Sequence, residues 1–96
     1  MNTYLDVVCY RSKLLADGTS PIMLRLTKDG KRKYISLHLS ANQSQWDFKK
    51  NQPKRNCPDR EAILTVIERK SKQYREQITQ FKAEGKDYTL ETLVQR

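Results

Sequence analysis

Residues 20–40, SPIMLRLTKDGKRKYISLHLS, decide the fold, because apolar and polar residues alternate on both sides of a single turn. Asp29-Gly30 lies between the two alternating runs and is typical of a two-residue hairpin turn, since both residue types tolerate positive φ. Apolar residues at every second position indicate strands with one buried face. We therefore predict a β-hairpin with strands at about residues 21–28 and 31–39.

The turn also fixes the register of the hairpin. Counting outward from Asp29-Gly30 pairs Leu24 with Ile35, Ile22 with Leu37, and Arg25 with Tyr34. One face then collects the apolar side chains Ile22, Leu24, Leu26, Ile35, Leu37 and Leu39. The other face collects Met23, Arg25, Thr27, Arg32, Tyr34, Ser36 and His38. A slip of one residue would expose half of the apolar set, so the pattern predicts one core face and one polar, basic face.

A first strand precedes this hairpin at residues 3–11, TYLDVVCYR. Leu5, Val7 and Cys9 alternate with Asp6, and the charge at Asp6 indicates that the other three face the core. After the hairpin, Ile63, Ile67, Tyr74, Ile78 and Phe81 recur at helical spacing, with Lys70 interrupting the stripe. We predict an α+β fold, in which a three-stranded antiparallel sheet (about 3–39) is packed on one face by a long C-terminal α-helix (about 59–84).

The predicted helix is long for the sheet that it covers. Its roughly 25 residues would span about 37 Å. We therefore expect its first half to pack on the sheet and its second half to project or to meet a partner outside this sequence. Gly85 suits the position after its end.

A second helix is predicted to start at Thr89, which suits an N-cap, and the sequence ends about two turns later. We expect residues 1–86 to form the domain and residues 87–96 to begin a further unit of a longer protein. On that view the chain is loosely held after about Gly85, because a two-turn helix is marginal without packing.

The segment between sheet and helix, residues 40–58, is predicted to be an irregular basic loop. Trp46 is the only tryptophan, and a large ring in this place favours a structural cover over the core, with base stacking as the alternative. The basic residues of this loop are Lys49, Lys50, Lys54 and Arg55.

Charge points to a partner class. The formal net charge is +8 over 96 residues, and such a surplus in a small domain favours a polyanion over a purely solvated surface. No run of about 18 apolar residues is present, so we predict no membrane span. The first residues lack a signal-peptide pattern, and Cys9 and Cys57 have no metal-type spacing. We read both as reduced thiols of a cytoplasmic protein.

The sequence offers no catalytic constellation. His38 is the single histidine, and the two cysteines are far apart in sequence, so neither a nucleophilic triad nor a metal site is indicated. We predict no catalytic residues, no cofactor and no small-molecule ligand.

An ordered set of short motifs resembles the N-terminal arm-type DNA-binding domain of Bacteroides-type phage integrases, which are tyrosine recombinases. The matching residues are Gly18, Pro21, Ile22, Arg25, Gly30, Trp46 and Asp47. One departure is that family members often have a proline before the tryptophan, where this chain has Gln43-Ser44-Gln45. The resemblance covers nearly the whole chain, and it implies that residues 87–96 begin the linker or core-binding domain of a parent recombinase whose catalytic domain lies elsewhere.

The resemblance also implies sequence-specific binding of double-stranded DNA, with the sheet laid in the major groove. A two-stranded ribbon fits that groove, and its outer side chains can reach base edges. The expected DNA-binding residues are Arg25, Thr27, Lys28, Lys31, Arg32, Tyr34, Ser36, Lys49, Lys50, Lys54 and Arg55. Contacts with other domains or subunits of the parent are also possible. A protein-interaction module and an RNA-binding module remain alternatives, although the open face offers few aromatic rings for stacking.

Overall fold

The computed structural model describes residues 3–94, and its elements follow the predicted order. They are β1 Thr3–Cys9, β2 Ser20–Lys28, β3 Lys31–Ala41, a 3-10 turn Gln43–Gln45, β4 Trp46–Asp47, β5 Gln52–Pro53, α1 Arg60–Ala83 and α2 Leu90–Val94. The first three strands form an antiparallel sheet in the order β1-β2-β3, and β4 pairs with β5. The predicted α+β fold is confirmed.

The hairpin register is confirmed over most of its length. Asp29 and Gly30 both have positive φ, 53° and 77°, as a type I′ turn requires. The predicted pairing holds from the turn as far as Met23 opposite Ser36, and then it changes. Ile22 lies opposite Leu39, so the predicted pairing of Ile22 with Leu37 is wrong.

A bulge in β3 causes this shift. His38 adopts a left-handed backbone conformation with φ of 57°, and its N–H donates to Ser36 Oγ at 3.1 Å. A bulge adds residues to one strand without partners on the other. The apolar face survives the shift, because Leu37 is buried and Leu39 packs against the core.

The core lies between the sheet and α1. Ile22, Leu24 and Leu26 of β2 are completely buried. Leu5, Val7 and Cys9 of β1 lie opposite these three residues, and they pack into the same cluster. The inward direction predicted for β1 from the charge at Asp6 is therefore confirmed.

The two ends of helix α1 are closed differently. Asp59 precedes it in a left-handed conformation and makes no capping bond with its side chain. At the other end Gly85 has φ of 67°, and the N–H groups of Gly85 and Lys86 bond to the carbonyls of Lys82 and Phe81 at 3.1 and 3.0 Å. This pair of bonds is a Schellman motif, which closes the helix and turns the chain back.

The chain then packs α2 against the second half of α1. Tyr74, Ile78 and Phe81 are buried, and the ring of Tyr88 stacks on that of Phe81 with centroids 4.8 Å apart. The expectation that this half of α1 projects is therefore wrong. The returning segment supplies the cover for this half of α1.

Residues 88–93 complete the core. Thr89 caps α2 by accepting a bond from the N–H of Thr92 at 3.1 Å, as predicted, and Tyr88, Leu90 and Leu93 are buried. This packing disagrees with the expectation of a loosely held segment. The assignment of residues 87–96 to a further unit of a longer protein stays a prediction, and residues 95 and 96 lie outside the described residues, as do residues 1 and 2.

The segment predicted to be an irregular loop contains a small hairpin. Trp46 in β4 faces Pro53 in β5, and the tryptophan side chain is only 1% exposed. The prediction of an entirely irregular segment is wrong, whereas burial of Trp46 agrees with a structural cover. Cys57 is buried, as is Cys9, and burial raises the pKa of both free thiols.

Within residues 3–94, no helix is long and apolar enough to cross a membrane. The same residues include no group of three His, Cys, Asp or Glu side chains arranged to hold a metal ion.

Acidification is expected to loosen α2. The carboxylate of Asp87 accepts bonds from the Tyr88 N–H at 2.9 Å and from Lys28 Nζ at 3.3 Å, and these two donors lower the pKa of Asp87. A lowered pKa adds stability above the unfolded-state value of about 4 and loses it as the pH falls through the folded-state value. Thermal melts should show wild type more stable than Asp87→Asn at pH 6, with the difference shrinking as the pH falls below about 4. An equal difference at all pH values would contradict this role of the charge.

Candidate nucleic-acid interface

The face of the sheet that points away from α1 is open, and we call it the outer face. Five of the predicted site residues lie on it, because strand alternation places them opposite the core residues of β2 and β3. They are Arg25, Thr27, Arg32, Tyr34 and Ser36. Arg32, Tyr34 and Ser36 are exposed, and Arg25 and Thr27 are half-buried.

A row of three polar side chains crosses the middle of the outer face. Arg25 of β2 lies between Asp6 of β1 and Tyr34 of β3, each directly opposite in the register. Arg25 Nη2 donates to Asp6 Oδ2 at 3.2 Å. The bond to Asp6 is the largest cause that raises the pKa of Arg25, and the neighbouring Tyr34 adds to it against the effect of burial. Arg25 is thus charged and held in place.

The partnership of Asp6 with Arg25 was not predicted. The charge of Asp6 indicated only which side of β1 faces solvent. The signal that could have found the pair is the β1–β2 register, but the long loop at residues 10–19 does not fix a register as a two-residue turn does. The side chains are 28% and 46% exposed, so the pair contributes only about 0.2–1 kcal/mol to stability.

An open hollow of about 490 Å³ lies beside this row. Tyr10 and Tyr34 meet edge to face on it, with ring centroids 5.8 Å apart, and Leu15, Met23 and the bulge residue His38 complete most of its wall. The hollow is largely apolar, and Lys13 is the one lysine of residues 3–94 that lines it. Apolar walls of this kind suit contact with the methyl group of thymine in a major groove.

Four cationic residues surround the β2–β3 turn, and they differ in their contacts: Lys28, Lys31, Arg32 and Lys33. Lys28 is 5% exposed, and its ammonium bonds Asp29 and Asp87 at 3.0 and 3.3 Å. It also lies over the ring of Tyr88, with Nζ 4.9 Å from the centroid. The structure therefore places Lys28 in a cluster that joins the turn to the segment before α2.

The other three differ in the side of the sheet on which they lie. Lys31 and Lys33 pair with Lys28 and Leu26, and therefore lie on the side of the core. Both help to lower the pKa of Glu91 in α2, after the larger effect of that residue's own N–H. Arg32 alone of the three is on the outer face.

The small hairpin gathers the second group of predicted residues. Asp47 Oδ1 accepts from the N–H groups of Lys49 and Lys50 at 3.0 and 3.1 Å, which lowers the pKa of Asp47 and shapes the turn. Lys49 and Lys50 are exposed on this turn. We call Lys49, Lys50, Lys54 and Arg55 the hairpin cations.

Arg60, the first residue of α1, lies beside three of the hairpin cations and was not among the predicted site residues. With Lys50, Lys54 and Arg55 it lines a small hollow of about 290 Å³. Its guanidinium is 3.5 Å from Glu61 Oε1. A cluster of cations around a concave surface is suited to a phosphate oxygen.

Contacts at the end of β1 attach the small hairpin to the sheet. Arg11 Cζ lies 3.7 Å from the centroid of the Phe48 ring. Gln43 Nε2 donates to Ser20 Oγ at 2.8 Å and to the Arg11 carbonyl at 3.1 Å. The hairpin cations thus lie at one end of the sheet and the β2–β3 turn at the other. The nine residues of β2 separate these ends by roughly 30 Å.

Comparison with known proteins bears on this interface. A family model described as the Arm DNA-binding domain matches residues 7–94. Comparison with curated proteins and with solved structures found no significant match.

Proposed function

Because this chain belongs to the family of arm DNA-binding domains, we propose that its sheet lies in the major groove of duplex DNA and reads base edges with the outer face. The observation that carries the proposal is the central row of Asp6, Arg25 and Tyr34, which presents a charged and fixed guanidinium in the middle of an open face. An arginine fork is suited to the O6 and N7 atoms of guanine.

Base reading and phosphate binding fall to different parts of the molecule in this proposal. Arg25, Thr27, Tyr34 and Ser36 lie on the part of the outer face that would meet base edges. Arg32 near the turn and the hairpin cations at the other end would meet phosphates, which fixes position rather than sequence. Lys31 is retained as a phosphate contact at the edge of the sheet. Lys28 is left out, because its ammonium is held by Asp29 and Asp87.

Arm domains of this kind are typical of integrases, and they are non-catalytic in themselves. We propose that the parent protein is a tyrosine recombinase of the Bacteroides-type phage integrase group, in the cytoplasm, and that its catalytic domain is separate from this one. The ordered motifs from Gly18 to Asp47 support this narrower assignment.

RNA is the second candidate partner, and one observation favours it. Tyr4, Tyr10 and Tyr34 are all substantially exposed on or beside the outer face. Exposed rings on a sheet are a common platform for unpaired bases. This arrangement offers more stacking surface than the sequence indicated.

Selection from a random duplex pool tests the proposed function. We expect enrichment of a short site that includes guanine, and competition by unlabelled duplex at fixed salt should exceed competition by single-stranded RNA of equal length. If RNA competes better, the tyrosine platform rather than the arginine row dominates. If no duplex is enriched, sequence-specific reading of DNA by this domain is excluded.

The hairpin cations give a second test. Replacing both Lys49 and Lys50 with alanine should weaken every duplex alike and lower the slope of log affinity against log salt by about 2, since each phosphate contact adds about 1. Fluorescence anisotropy between 50 and 200 mM salt, the range over which such contacts are usually lost, measures the slope.

Lys72→Ala is the matched control for this slope, because Lys72 is exposed on α1 and belongs neither to the outer face nor to the hairpin cations. An unchanged slope in the double variant, or an equal change per lysine in the control, would contradict the assignment of the hairpin cations to phosphate.

A further inference from the structure

The Asp6–Arg25 pair places a negative charge at the centre of the face that we propose for DNA. A carboxylate there repels phosphates and lowers affinity for every duplex. Asp6 is not needed for folding as a buried group, since its side chain is 46% exposed. Its carboxylate accepts a hydrogen bond from Arg25 Nη2 at 3.2 Å. Since Asp6 lowers the affinity for DNA in general, we look for its role in specificity, that is, in the preference for one DNA sequence over another.

The surroundings of Arg25 indicate how Asp6 could contribute to specificity. Its side chain is 28% exposed, and its Nε is buried without an acceptor among residues 3–94. Asp6 takes one of the five N–H groups of the guanidinium, on the β1 side. Tyr34 borders Arg25 on the β3 side. The fork is thereby held between two strands, with donors left over for a ligand above the sheet.

We propose, on the basis of the function proposed above, that Asp6 is the positioning residue for Arg25 and a determinant of specificity. Fixing the rotamer before binding reduces the ordering cost of the contact with the correct base. Fixing it also prevents the guanidinium from turning to a phosphate when the base is wrong. Asp6 therefore raises the ratio of specific to non-specific affinity while it lowers non-specific affinity.

The distinguishing variant is Asp6→Asn, which keeps the shape and removes the charge. Affinity for the selected duplex should fall, and affinity for a scrambled duplex should rise. The ratio of the two should drop at least about fivefold, the lower end of what one arginine–guanine contact supplies. A merely structural role would lower both affinities together, so the opposite signs separate the two roles.

Two further variants control the measurement. Asp6→Glu retains a carboxylate that can reach Arg25, and we expect it to recover most of the ratio. Glu68→Gln removes one negative charge from the exposed surface of α1, and it should leave the ratio unchanged.

The final step is a double-mutant cycle measured by anisotropy on both duplexes. In the Arg25→Ala background, Asp6→Asn should no longer change the ratio. If Asp6→Asn leaves the ratio unchanged in wild type while Arg25→Ala lowers it, the positioning role is overturned and the proposed function stands. If the wild-type protein shows no preference between the two duplexes, the proposed function itself is contradicted, and with it the positioning role of Asp6.

Discussion

Replacing Trp46 with alanine is expected to destabilise the domain by about 3–5 kcal/mol, the usual cost of removing a buried large aromatic ring. The side chain is 1% exposed and belongs to the main core cluster. Trp46 also holds β4 against Pro53 of β5. A change of this size lowers the melting temperature of a domain of about 100 residues by roughly 12 °C or more.

Trp46→Phe distinguishes the contribution of apolar packing by the ring from that of the indole N–H. No residue between 3 and 94 accepts a hydrogen bond from the buried Nε1 of Trp46, and an unmet buried donor costs about 1–3 kcal/mol. Phenylalanine keeps most of the apolar contact and removes this donor, so we expect its cost to be less than half that of alanine. Urea unfolding of both variants measures the difference. Equal costs would show that the indole itself makes a specific contact.

Trp46→Phe also tests how the hairpin cations are positioned. Lys49 and Lys50 depend on the turn that Asp47 shapes, and this turn follows Trp46 directly. Because phenylalanine keeps most of the packing beneath this turn, Trp46→Phe should bind DNA with the same salt slope as wild type.

The sequence predicted those parts of the fold that local chemistry determines. Asp29-Gly30 sets both the turn and the register, because few other dipeptides adopt positive φ twice. Gly85 marks the end of α1 through backbone bonds, and Thr89 marks the start of α2 through a bond from the Thr92 N–H to its side-chain hydroxyl, all within a few residues.

The predictions of the fold failed where residues distant in sequence determine the local structure. The bulge at His38 leaves the alternation of apolar residues intact on either side, so the hydrophobic pattern does not reveal it. The second half of α1 was expected to project because its cover, Tyr88 and Leu93, comes from a segment assigned to another unit. Packing of a short helix against a long one is a tertiary effect that the propensity of either helix does not contain.

The candidate site divides in the same way. Strand alternation placed Arg25, Tyr34 and Ser36 on the outer face, and the structure agrees. Lys28 has the same charge as its neighbours in sequence, but Asp87, 59 positions later, holds its ammonium. Composition counts such a lysine as part of a basic surface, and only the folded chain shows that its charge is already paired.

Arg25→Ala is expected to cost about 1–3 kcal/mol of preference for the selected site over a scrambled one, which is about 5- to 150-fold in the ratio of affinities. Arg25 is the cation at the centre of the outer face, and its donors lie between Asp6 and Tyr34. Folding stability should change by less than about 1 kcal/mol, because the pair with Asp6 is partly exposed.

Arg25→Lys sharpens this test, because it keeps the positive charge and removes the planar fork. Lysine cannot make the two parallel bonds that an arginine makes to guanine, so the scrambled duplex should bind as in wild type while the selected duplex loses most of its advantage. Arg75→Ala, at an exposed position on α1, is the control for the loss of one cation and should leave the preference intact. If Arg25→Ala weakens both duplexes equally, Arg25 contacts phosphate instead of a base. If neither variant at position 25 alters either affinity, DNA does not bind the outer face, and the hairpin cations must act with another surface of the domain.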